Sequence, residues 1–444
     1  MSKSFIFNVF IYFKKCDKLL AKKGDYFMKT KNEQKIIKGG SDLDKYKKYG
    51  ILLKRKRIEK KYTLEEVSQG ICAPSYLSRI ENNLVDVEEK YYVNLFKKFD
   101  IDFNKLKEVK EQEIYNELLK CYLLEEENIA VELISDALKT GYYMELEVEL
   151  MLLYDNIIHG LFSEALNQIL DLNEKIHLLI ESEFNFYIFL TALYAYRTSQ
   201  SIYAYRQIVF LCECNFVNAI YQYAVYDLAL DIFDFIGANE QFLKYYYLLN
   251  NDKYHTLYPK SALKHQAQKI VMESYLNKDE EEVLLYEMLE GSSGKCKEEI
   301  VWQILKLEYK KGSYIKCLEI IEKLDATPKL LALESLITLR VNDIKYVYKL
   351  EERKKNVTFR VFDESFELMY LACMQIKKYL DYKTAFDIFK KMLKLQNEQT
   401  YCAFLFDEQI IMFLEVALSS GKYKEAVKMV MNILKDKLIF PYFL

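Results

Sequence analysis

The chain contains very few of the two residues that most often interrupt regular structure. Its 444 residues include only 4 prolines and 12 glycines, while 51% are hydrophobic and 15% are aromatic. Proline and glycine mark the turns of β-rich and loop-rich proteins, so their scarcity favours helices joined by short turns. The apolar content is sufficient for large cores, and the length exceeds a typical single domain. The sequence therefore predicts an all-α protein with more than one structural unit.

Residues 1–42 are predicted to be an N-terminal extension outside the folded domains. The segment FIFNVFIYF at 5–13 is apolar, but a membrane-spanning helix requires about 20 apolar residues. No small-residue cleavage site of the kind that ends a signal peptide follows it. Three interpretations stay open: a signal or anchor, a tail that the protein does not need, and a coding start at Met28 with the preceding residues upstream of it.

No residue pattern in the chain is typical of a metal site or of catalysis. The nine cysteines are scattered without a CxxC pair, and the four histidines form no HExxH motif. The segment GSSGK at 291–295 lacks the first glycine of a phosphate-binding loop, because Leu289 stands at that position. Scattered thiols without a pairing pattern are typical of a reducing compartment. We therefore expect a cytoplasmic protein that is not an enzyme and that has no metal, no cofactor and no membrane partner.

Positive charge is concentrated in one segment that follows the extension. Residues 43–62 contain nine lysine or arginine residues and two acidic ones, in a chain whose formal net charge is −3. A helix rich in lysine and arginine is typical of a surface that binds nucleic-acid phosphates. A solvated helix face is the alternative interpretation. Because the whole chain is nearly neutral, a site for a polyanion has to be local.

The residues after this basic segment predict two short helices joined by a tight turn. Thr63 can cap a helix, with Glu66 three residues later as its capping-box partner. Gly70 can adopt the positive φ that a helix C-terminus requires, and Pro74 suits the first turn of the next helix. The apolar residues spaced to bury one common face are Val67, Ile71, Leu77 and Ile80. This arrangement predicts a helix-turn-helix.

The segment YGILLKRKRIEKKYTLEEVSQGICAPSYLSRIENN at 49–83 resembles the Cro/C1-type (XRE) helix-turn-helix family. The matching positions are Gly50, Leu53, Lys54, Arg57, Thr63, Val67, Ser75, Leu77, Ser78, Ile80 and Glu81. Three positions depart from the family pattern. Leu64 replaces a glutamine, Ala73 replaces a capping Ser or Thr, and Asn83 replaces a glycine whose left-handed conformation asparagine tolerates. The resemblance implies a DNA-binding domain at residues 43–105.

The resemblance also implies separate roles for the polar residues of this domain. Arg57 and Glu81 match a pair that forms an internal ion pair in the family, so both are expected to be structural. Arg79 is the expected base contact, because arginine can bond guanine O6 and N7 together. The exposed positions of the recognition helix, which enters the major groove of double-stranded DNA, are Pro74, Ser75, Tyr76 and Arg79. The residues suited to phosphate contacts are Lys54, Thr63 and Asn82.

Residues 110–444 show helical periodicity and four similar segments. Each segment has a turn, an aromatic residue, two spacers and then Ala or Cys. The segments are HGLFSEALNQIL (159–170), KGSYIKCLEII (311–321), YLDYKTAFDIF (379–389) and SGKYKEAVKMV (420–430). Two antiparallel helices need an aromatic residue beside a short turn and a small residue where they approach closely. The pattern resembles degenerate tetratricopeptide (TPR) repeats, which implies an α-solenoid with a concave face. An irregular helical bundle is the alternative.

The repeat pattern also places a set of residues near the concave face, where an extended peptide commonly binds. Counting back from the small residue of each second helix gives Tyr154, Trp302, Lys306, Tyr370 and Met374. Each of these residues has a competing interpretation as ordinary core or surface. The four segments alone do not distinguish between these interpretations.

The order of the two domains resembles the peptide-responsive regulators of the Rgg/PlcR/PrgX (RNPP) class of Gram-positive bacteria. The resemblance implies a transcriptional regulator that binds paired DNA half-sites as a homodimer. It also implies that a short signalling peptide binds the repeats and alters DNA binding. Two alternatives stay open. The repeats form a scaffold for a protein partner, or the regulator acts without a ligand.

Overall fold

The computed structural model describes residues 43–111, 113–214, 216, 218–250, 252–273, 278–360, 363–398 and 402–439. The predicted N-terminal extension, residues 1–42, lies outside them. Within the described ranges the regular elements are α-helices and one short 3-10 helix, Ile176–Leu178, with no strand. This confirms the all-α prediction.

The α-helices follow one another with short connections, as the scarcity of proline and glycine predicted. They are α1 Leu43–Glu59, α2 Leu64–Ser68, α3 Pro74–Glu81, α4 Glu89–Lys97, α5 Phe103–Glu111, α6 Ile114–Leu124, α7 Glu127–Thr140, α8 Glu145–Ile158, α9 Phe162–Glu174, α10 Glu181–Arg197, α11 Ser201–Cys212, α12 Ala219–Ile236, α13 Asn239–Leu249, α14 Asp252–Leu257, α15 Pro259–Glu273, α16 Lys278–Glu290, α17 Gly294–Lys311, α18 Tyr314–Ile321, α19 Pro328–Arg340, α20 Lys345–Lys354, α21 Glu364–Lys377, α22 Tyr382–Glu398, α23 Ala403–Ser420 and α24 Tyr423–Ile439.

The chain divides into two compact units. The described residues up to Tyr122, together with Glu126–Thr191, belong to the first unit. The second unit contains Leu123–Glu125 and the described residues from Ala192 onward. The first unit therefore combines the helix-turn-helix with several of the helices that follow it. The predicted division at residues 105–110 stays a prediction.

Helices α1 to α5 share one apolar core in the first unit. Tyr49 contacts Phe103 edge to face at 5.0 Å between ring centroids, and Phe103 stacks on Phe96 at 5.6 Å. The predicted core residues Val67, Leu77 and Ile80 are fully buried, and Ile71 packs partly buried against them. Helices α2 and α3 are joined by a turn at Gly70, so the region has the helix-turn-helix architecture that the sequence predicted.

The remaining helices pack mainly on their neighbours along the chain, as in a solenoid. In the first unit α8 packs on α7 and α9, and in the second unit successive helices from α15 to α20 pack on one another. Helices two positions apart also pack, as α15 does on α17 and α19 does on α21. Within the second unit α12 additionally contacts α23. This repeat-like packing confirms the solenoid prediction.

The four similar sequence segments occupy equivalent places in the fold. Their aromatic residues are the first residues of α9, α18, α22 and α24, namely Phe162, Tyr314, Tyr382 and Tyr423. The small residues three positions later are fully buried, namely Ala165, Cys317, Ala385 and Ala426. Two positions before each aromatic residue stands a residue with positive φ: Gly160, Gly312, Leu380 and Gly421. The pattern therefore identified the turn between the two helices of a pair.

Three further helix pairs have the same turn without the aromatic residue. Glu125, Ser199 and Gly237 have positive φ two positions before α7, α11 and α13. In each case the next amide donates to the carbonyl five residues back, as in the Schellman ending of a helix. The buried residues three positions into these helices are Ala130, Ala204 and Phe242. An alanine three positions into the second helix, Ala130 or Ala204, was thus the sequence signal that could have predicted two of these three turns.

Two general properties concern the part of the chain that the structure describes. None of its helices is both long enough and apolar enough to cross a membrane. Its eight cysteines form no disulfide bond.

Candidate functional site

Local turn chemistry sets the ends of α2 and of α3, the predicted recognition helix. The Thr63 hydroxyl accepts a hydrogen bond from the Glu66 amide at 3.2 Å, and Glu66 Oε2 accepts from the Thr63 amide at 2.7 Å. This is the predicted capping box. Gly70 has φ +78° and Asn83 has φ +55°, so both take the left-handed conformation expected of them. Pro74 is the first residue of α3, and no side chain caps the helix at Ala73, also as predicted.

The predicted ion pair joins α1 to α3. Arg57 Nε and Nη2 each donate to one carboxylate oxygen of Glu81 at 2.7 Å. Glu81 is 2% exposed and Arg57 16% exposed in their side chains. The hydrogen bond and the charge of Glu81 together raise the pKa of Arg57. The pair therefore fixes α3 on α1 from inside the domain.

Gly50 permits the close approach of α1 to α3. A Cβ atom at this position would collide with the carbonyl oxygen of Ile80 and would lie 2.7 Å from Oδ1 of Asn83. Backbone atoms cannot move away as a flexible side chain can. Gly50 is therefore required by packing rather than by its own φ.

The face of α3 opposite the core carries the residues predicted to read DNA. Ser75 and Arg79 are exposed, and Pro74 and Tyr76 are partly exposed. Tyr76 packs edge to face on Tyr91 at 5.6 Å between ring centroids. Arg79 makes no ion pair with any residue that the structure describes. The helix is thus anchored on one side and presents a cation on the other.

Two of the residues predicted to contact phosphates lie together. Lys54 Nζ donates to Asn82 Oδ1 at 2.9 Å, which brings α1 beside the end of α3. Asn82 Nδ2 in turn donates to the Ser78 carbonyl at 2.7 Å. The third residue, Thr63, is exposed at the start of α2. Lys54 and Asn82 therefore lie at the C-terminal end of α3, and Thr63 lies at the N-terminus of α2.

The basic segment 43–62 is not wholly a free positive surface. Arg55 is 7% exposed, and its guanidinium makes a bidentate ion pair with Glu183 at 2.5 Å. Its Nε also donates to the Leu178 carbonyl at 2.6 Å. Together with the Arg57 pair, this contact leaves fewer cations available for phosphates than the sequence suggested. The side chains before Tyr49 lie outside the described part of the structure.

The Arg55–Glu183 pair is a buried contact that sequence reasoning missed. It joins α1, which supports the predicted recognition helix, to the N-terminal part of α10, which belongs to the same unit. Burial raises the pKa of Glu183, although Arg55 stabilises its charged form. The only sequence signal was the position of Arg55 three residues after the core residue Leu52, and its partner lies 128 residues away.

In the second unit, side chains of α12, α14, α15 and α17 share a polar network. Lys306 Nζ donates to both carboxylate oxygens of Asp234 at 2.8 Å. Asp227 accepts from His265 Nε2 at 2.7 Å and from the Tyr254 hydroxyl at 3.1 Å. Burial alone would raise the pKa of Asp227, but Lys264 and His265 lower it well below its ordinary value. Asp227 and Asp234 therefore each have a lysine partner within the second unit.

Two of the predicted peptide-contacting residues lie in this region. Trp302 and Lys306 are four residues apart on α17 and are 5% and 6% exposed. Trp302 packs edge to face on Phe404 of α23 at 5.8 Å between ring centroids. Lys306 lies beside Asp234, and Trp302 lies beneath the ammonium group of Lys329. The sequence did not single out Asp234 or Lys329.

The other three predicted peptide contacts are placed elsewhere. Tyr154 belongs to the first unit and is 1% exposed, and its hydroxyl donates to the Leu118 carbonyl at 3.0 Å. It is therefore part of the core of that unit. Tyr370 is half-buried and Met374 is buried on α21 of the second unit.

Neither a metal centre nor a relative supplies a further indication of function. The described residues contain no cluster of three or more His, Cys, Asp or Glu side chains able to hold a metal ion. No protein-family model matches the sequence, and a search of curated proteins finds no significant match. Function is therefore inferred from the two sites described above.

Proposed function

We propose that the protein is a DNA-binding transcriptional regulator of the XRE class that acts as a cytoplasmic homodimer. We propose further that its helical repeats bind a short signalling peptide, as in RNPP regulators, and that this peptide alters DNA binding. The observation that supports DNA binding most directly is Arg79, an exposed cation without an ion-pair partner among the described residues, on a helix anchored from the other side.

The anchoring of α3 suits sequence recognition. Gly50, the Arg57–Glu81 pair and the buried Leu77 hold the helix against α1. The backbone of α3 is then held in place before DNA binds, so less backbone entropy is lost on binding. An exposed arginine in such a position can make the bidentate guanine contact that distinguishes one base pair from another.

The Arg55–Glu183 pair supports a link between the repeats and the DNA-binding face. A change in the position of α10 has to move α1 or break a buried ion pair. A peptide that prefers one arrangement of the repeats would therefore bias the position of the recognition helices. In a dimer this bias changes the spacing of two such helices relative to paired half-sites.

The test is an electrophoretic shift of the DNA upstream of the gene, with and without peptides extracted from the culture. We expect a shift that weakens as salt concentration rises, because phosphate contacts release counterions. We also expect the peptide fraction to change the midpoint of the titration. A purified protein that gives no salt-sensitive DNA binding contradicts the proposal. Binding that is insensitive to peptide favours a regulator that acts without a ligand.

A further inference from the structure

Four exposed lysines of the helix-turn-helix region lie at two helix ends that meet. Tyr62, beyond the end of α1, stacks on Phe99, beyond the end of α4, at 5.8 Å between ring centroids. The two residues before each ring are exposed lysines. They are Lys60, Lys61, Lys97 and Lys98, and together they form the lysine patch. None of the four makes an ion pair with any residue that the structure describes.

The rest of the basic segment 43–62 offers less free charge. Its two arginines pair with buried glutamates, and Lys56 pairs with Glu59 at 3.0 Å. Lys60 and Lys61 are not used in this way. The cations that the segment leaves available therefore lie at its end, beside two further lysines from the end of α4.

The carboxylates near the lysine patch in sequence have other partners or make no contact with it. Glu59 is paired with Lys56. Glu66 accepts from the Thr63 amide, and Asp102 caps the start of α5. The exposed acidic residues between them make no ion pair with a lysine of the patch. The four ammonium groups therefore face solvent without a carboxylate partner.

A role at the helix ends themselves explains only part of this charge. A helix C-terminus carries about half a negative charge, which one lysine in its last turn offsets. The backbone at both ends is also satisfied. The Tyr62 amide donates to the Arg57 carbonyl at 3.0 Å, and the Ile101 amide donates to the Phe96 carbonyl at 3.2 Å. Two lysines at each end therefore exceed what the two helices require.

The lysine patch is tied to the predicted recognition helix by direct contacts. Arg57 Nη1 donates to the Tyr62 carbonyl at 3.2 Å, while its Nε and Nη2 hold Glu81 of α3. Thr63, which is predicted to contact a phosphate, follows Tyr62 directly. The patch therefore has a fixed position relative to α3 and adjoins a predicted phosphate contact.

We propose that the lysine patch binds phosphates of the DNA backbone outside the base pairs that α3 reads. This inference rests on the proposed function, since it adds a second contact with the same DNA. Helix α3 has eight residues and is about 12 Å long, which is the length of about four base pairs. The patch lies on the ends of α1 and α4, so the phosphates that it meets belong to flanking DNA. Such contacts add affinity without sequence preference.

Duplex DNA suits this surface better than an acidic membrane does. A duplex presents one negative charge per about 1.7 Å of its axis, so several ammonium groups can each meet a phosphate at once. A duplex bound by α3 is also already beside the patch, whereas a membrane is not. Lysine acts as a point charge without the fork geometry of arginine, which suits a contact that has to form at any sequence.

The test measures the salt dependence of DNA binding by the full-length protein. A preferred duplex is selected from random-sequence DNA and prepared in two lengths. One is trimmed to the selected segment, and the other is extended by one helical turn on each side. Fluorescence anisotropy gives the affinity for each duplex over a range of salt concentrations. The variant combines Lys97→Gln with Lys98→Gln, which removes half of the patch and leaves the basic segment intact.

The matched control combines Lys120→Gln with Lys139→Gln. These lysines are exposed and belong to the same unit, so the control removes the same charge. Each is paired with an acidic residue three positions earlier, Glu117 or Asp136. The control should therefore leave DNA binding unchanged.

We expect the patch variant to bind the extended duplex with a weaker dependence on salt. Each phosphate contact contributes about 0.9 to the slope of log affinity against log salt concentration, so the slope should become shallower by about 2 for each subunit bound. An extended duplex of scrambled sequence should show the same change, because phosphate contacts carry no sequence information. The trimmed duplex should show little change.

An unchanged slope in the patch variant overturns the assignment. An equal change on the trimmed duplex also overturns it, because the contact would then lie within the segment that α3 reads. A lower melting temperature with an unchanged slope would assign Lys97 and Lys98 to the stability of α4 instead. Loss of binding to vesicles that contain phosphatidylserine, with the DNA slope unchanged, would assign the patch to an acidic membrane. All of these results leave the proposed function standing, whereas the absence of salt-sensitive DNA binding by the wild type removes it.

Discussion

The two regions with candidate sites use positive charge in opposite ways. On α3 of the first unit, Arg79 is exposed and lies in water. In the second unit, Lys329 is half-buried over the rings of Trp302 and Phe235. Each is a cation without an ion-pair partner among the described residues, next to cations that carboxylates neutralise. Arg79 is free to meet a ligand in solution, whereas the charge of Lys329 is offset by the carboxylate of Glu299.

The difference in burial indicates different roles for the two cations. An exposed arginine suits a polyanion, which brings many phosphates and binds largely by releasing counterions. A half-buried ammonium group such as Lys329 instead interacts with charges inside its own unit, because charge interactions are stronger where water is excluded. Buried ion pairs such as Arg55–Glu183 have a structural role, because they hold neighbouring helices together. The predictions below test this division of roles.

The largest effect is expected from Arg55→Ala. The change leaves Glu183 fully buried without its counterion, and stranding one partner of a buried pair costs about 3–5 kcal/mol. We expect the melting temperature of the protein to fall sharply and DNA binding to be lost with it. The control is Arg55→Met combined with Glu183→Leu, which removes both charges and should recover most of the stability. A double variant as unstable as the single one would show that the pair does not act as proposed.

A smaller and more local loss is expected from Arg57→Ala. Glu81 is then buried without its partner, but Arg57 itself is 16% exposed, so we expect about 3 kcal/mol. Hydrogen exchange should show loosening of α1 to α3, with the second unit unaffected. Lys56→Ala removes the neighbouring, more exposed pair with Glu59 and should cost less than about 0.5 kcal/mol. Equal losses in these two variants would contradict the structural role of Arg57.

A pH effect is expected from Glu334 in the second unit. Burial raises the pKa of this carboxyl from 4.5 to about 7, although Arg353 bonds to it at 2.8 Å. A raised carboxyl pKa means that the native state binds the proton more tightly. Stability should therefore fall as pH rises from about 5 to about 7, by on the order of 2 kcal/mol, and stay level above that.

Denaturant unfolding at several pH values measures this effect. Glu334→Gln should remove the dependence in this range. Glu351→Gln, at a more exposed carboxyl paired with Lys378, should leave it unchanged. A stability that rises between pH 5 and pH 7, or an unchanged slope in Glu334→Gln, would show that Glu334 stays ionised throughout.

Features that depend on neighbours in the chain could be predicted from the sequence. The capping box of Thr63, the positive φ of Gly70 and Asn83, and the start of α3 at Pro74 each follow from the chemistry of a few consecutive residues. The repeat turns followed from an aromatic residue and a small one at fixed spacing. The resemblance to the XRE pattern added the Arg57–Glu81 pair, which spans 24 residues.

Features that depend on distant contacts could not be predicted. Arg55 was counted with the exposed basic residues, because nothing near it in the sequence indicates Glu183. Counting along the repeat placed Tyr154 near the concave face, with the core as an alternative, and packing in the first unit buries it. Lys329 stands in an ordinary first turn after Pro328, and only the packing of α12 and α17 beside it places the rings of Phe235 and Trp302 near its ammonium group.

The central claim is that the exposed face of α3 reads DNA sequence. A preferred duplex is selected from random-sequence DNA with the wild-type protein, and its affinity is compared with that of a scrambled duplex by fluorescence anisotropy at fixed salt. Arg79→Ala should lose about 1–3 kcal/mol of this discrimination. Its affinity for the scrambled duplex and the melting temperature of the protein should stay unchanged. Arg206→Ala, at an exposed arginine of the second unit, should change neither value. Full discrimination retained by Arg79→Ala, or none in the wild type, would contradict the account.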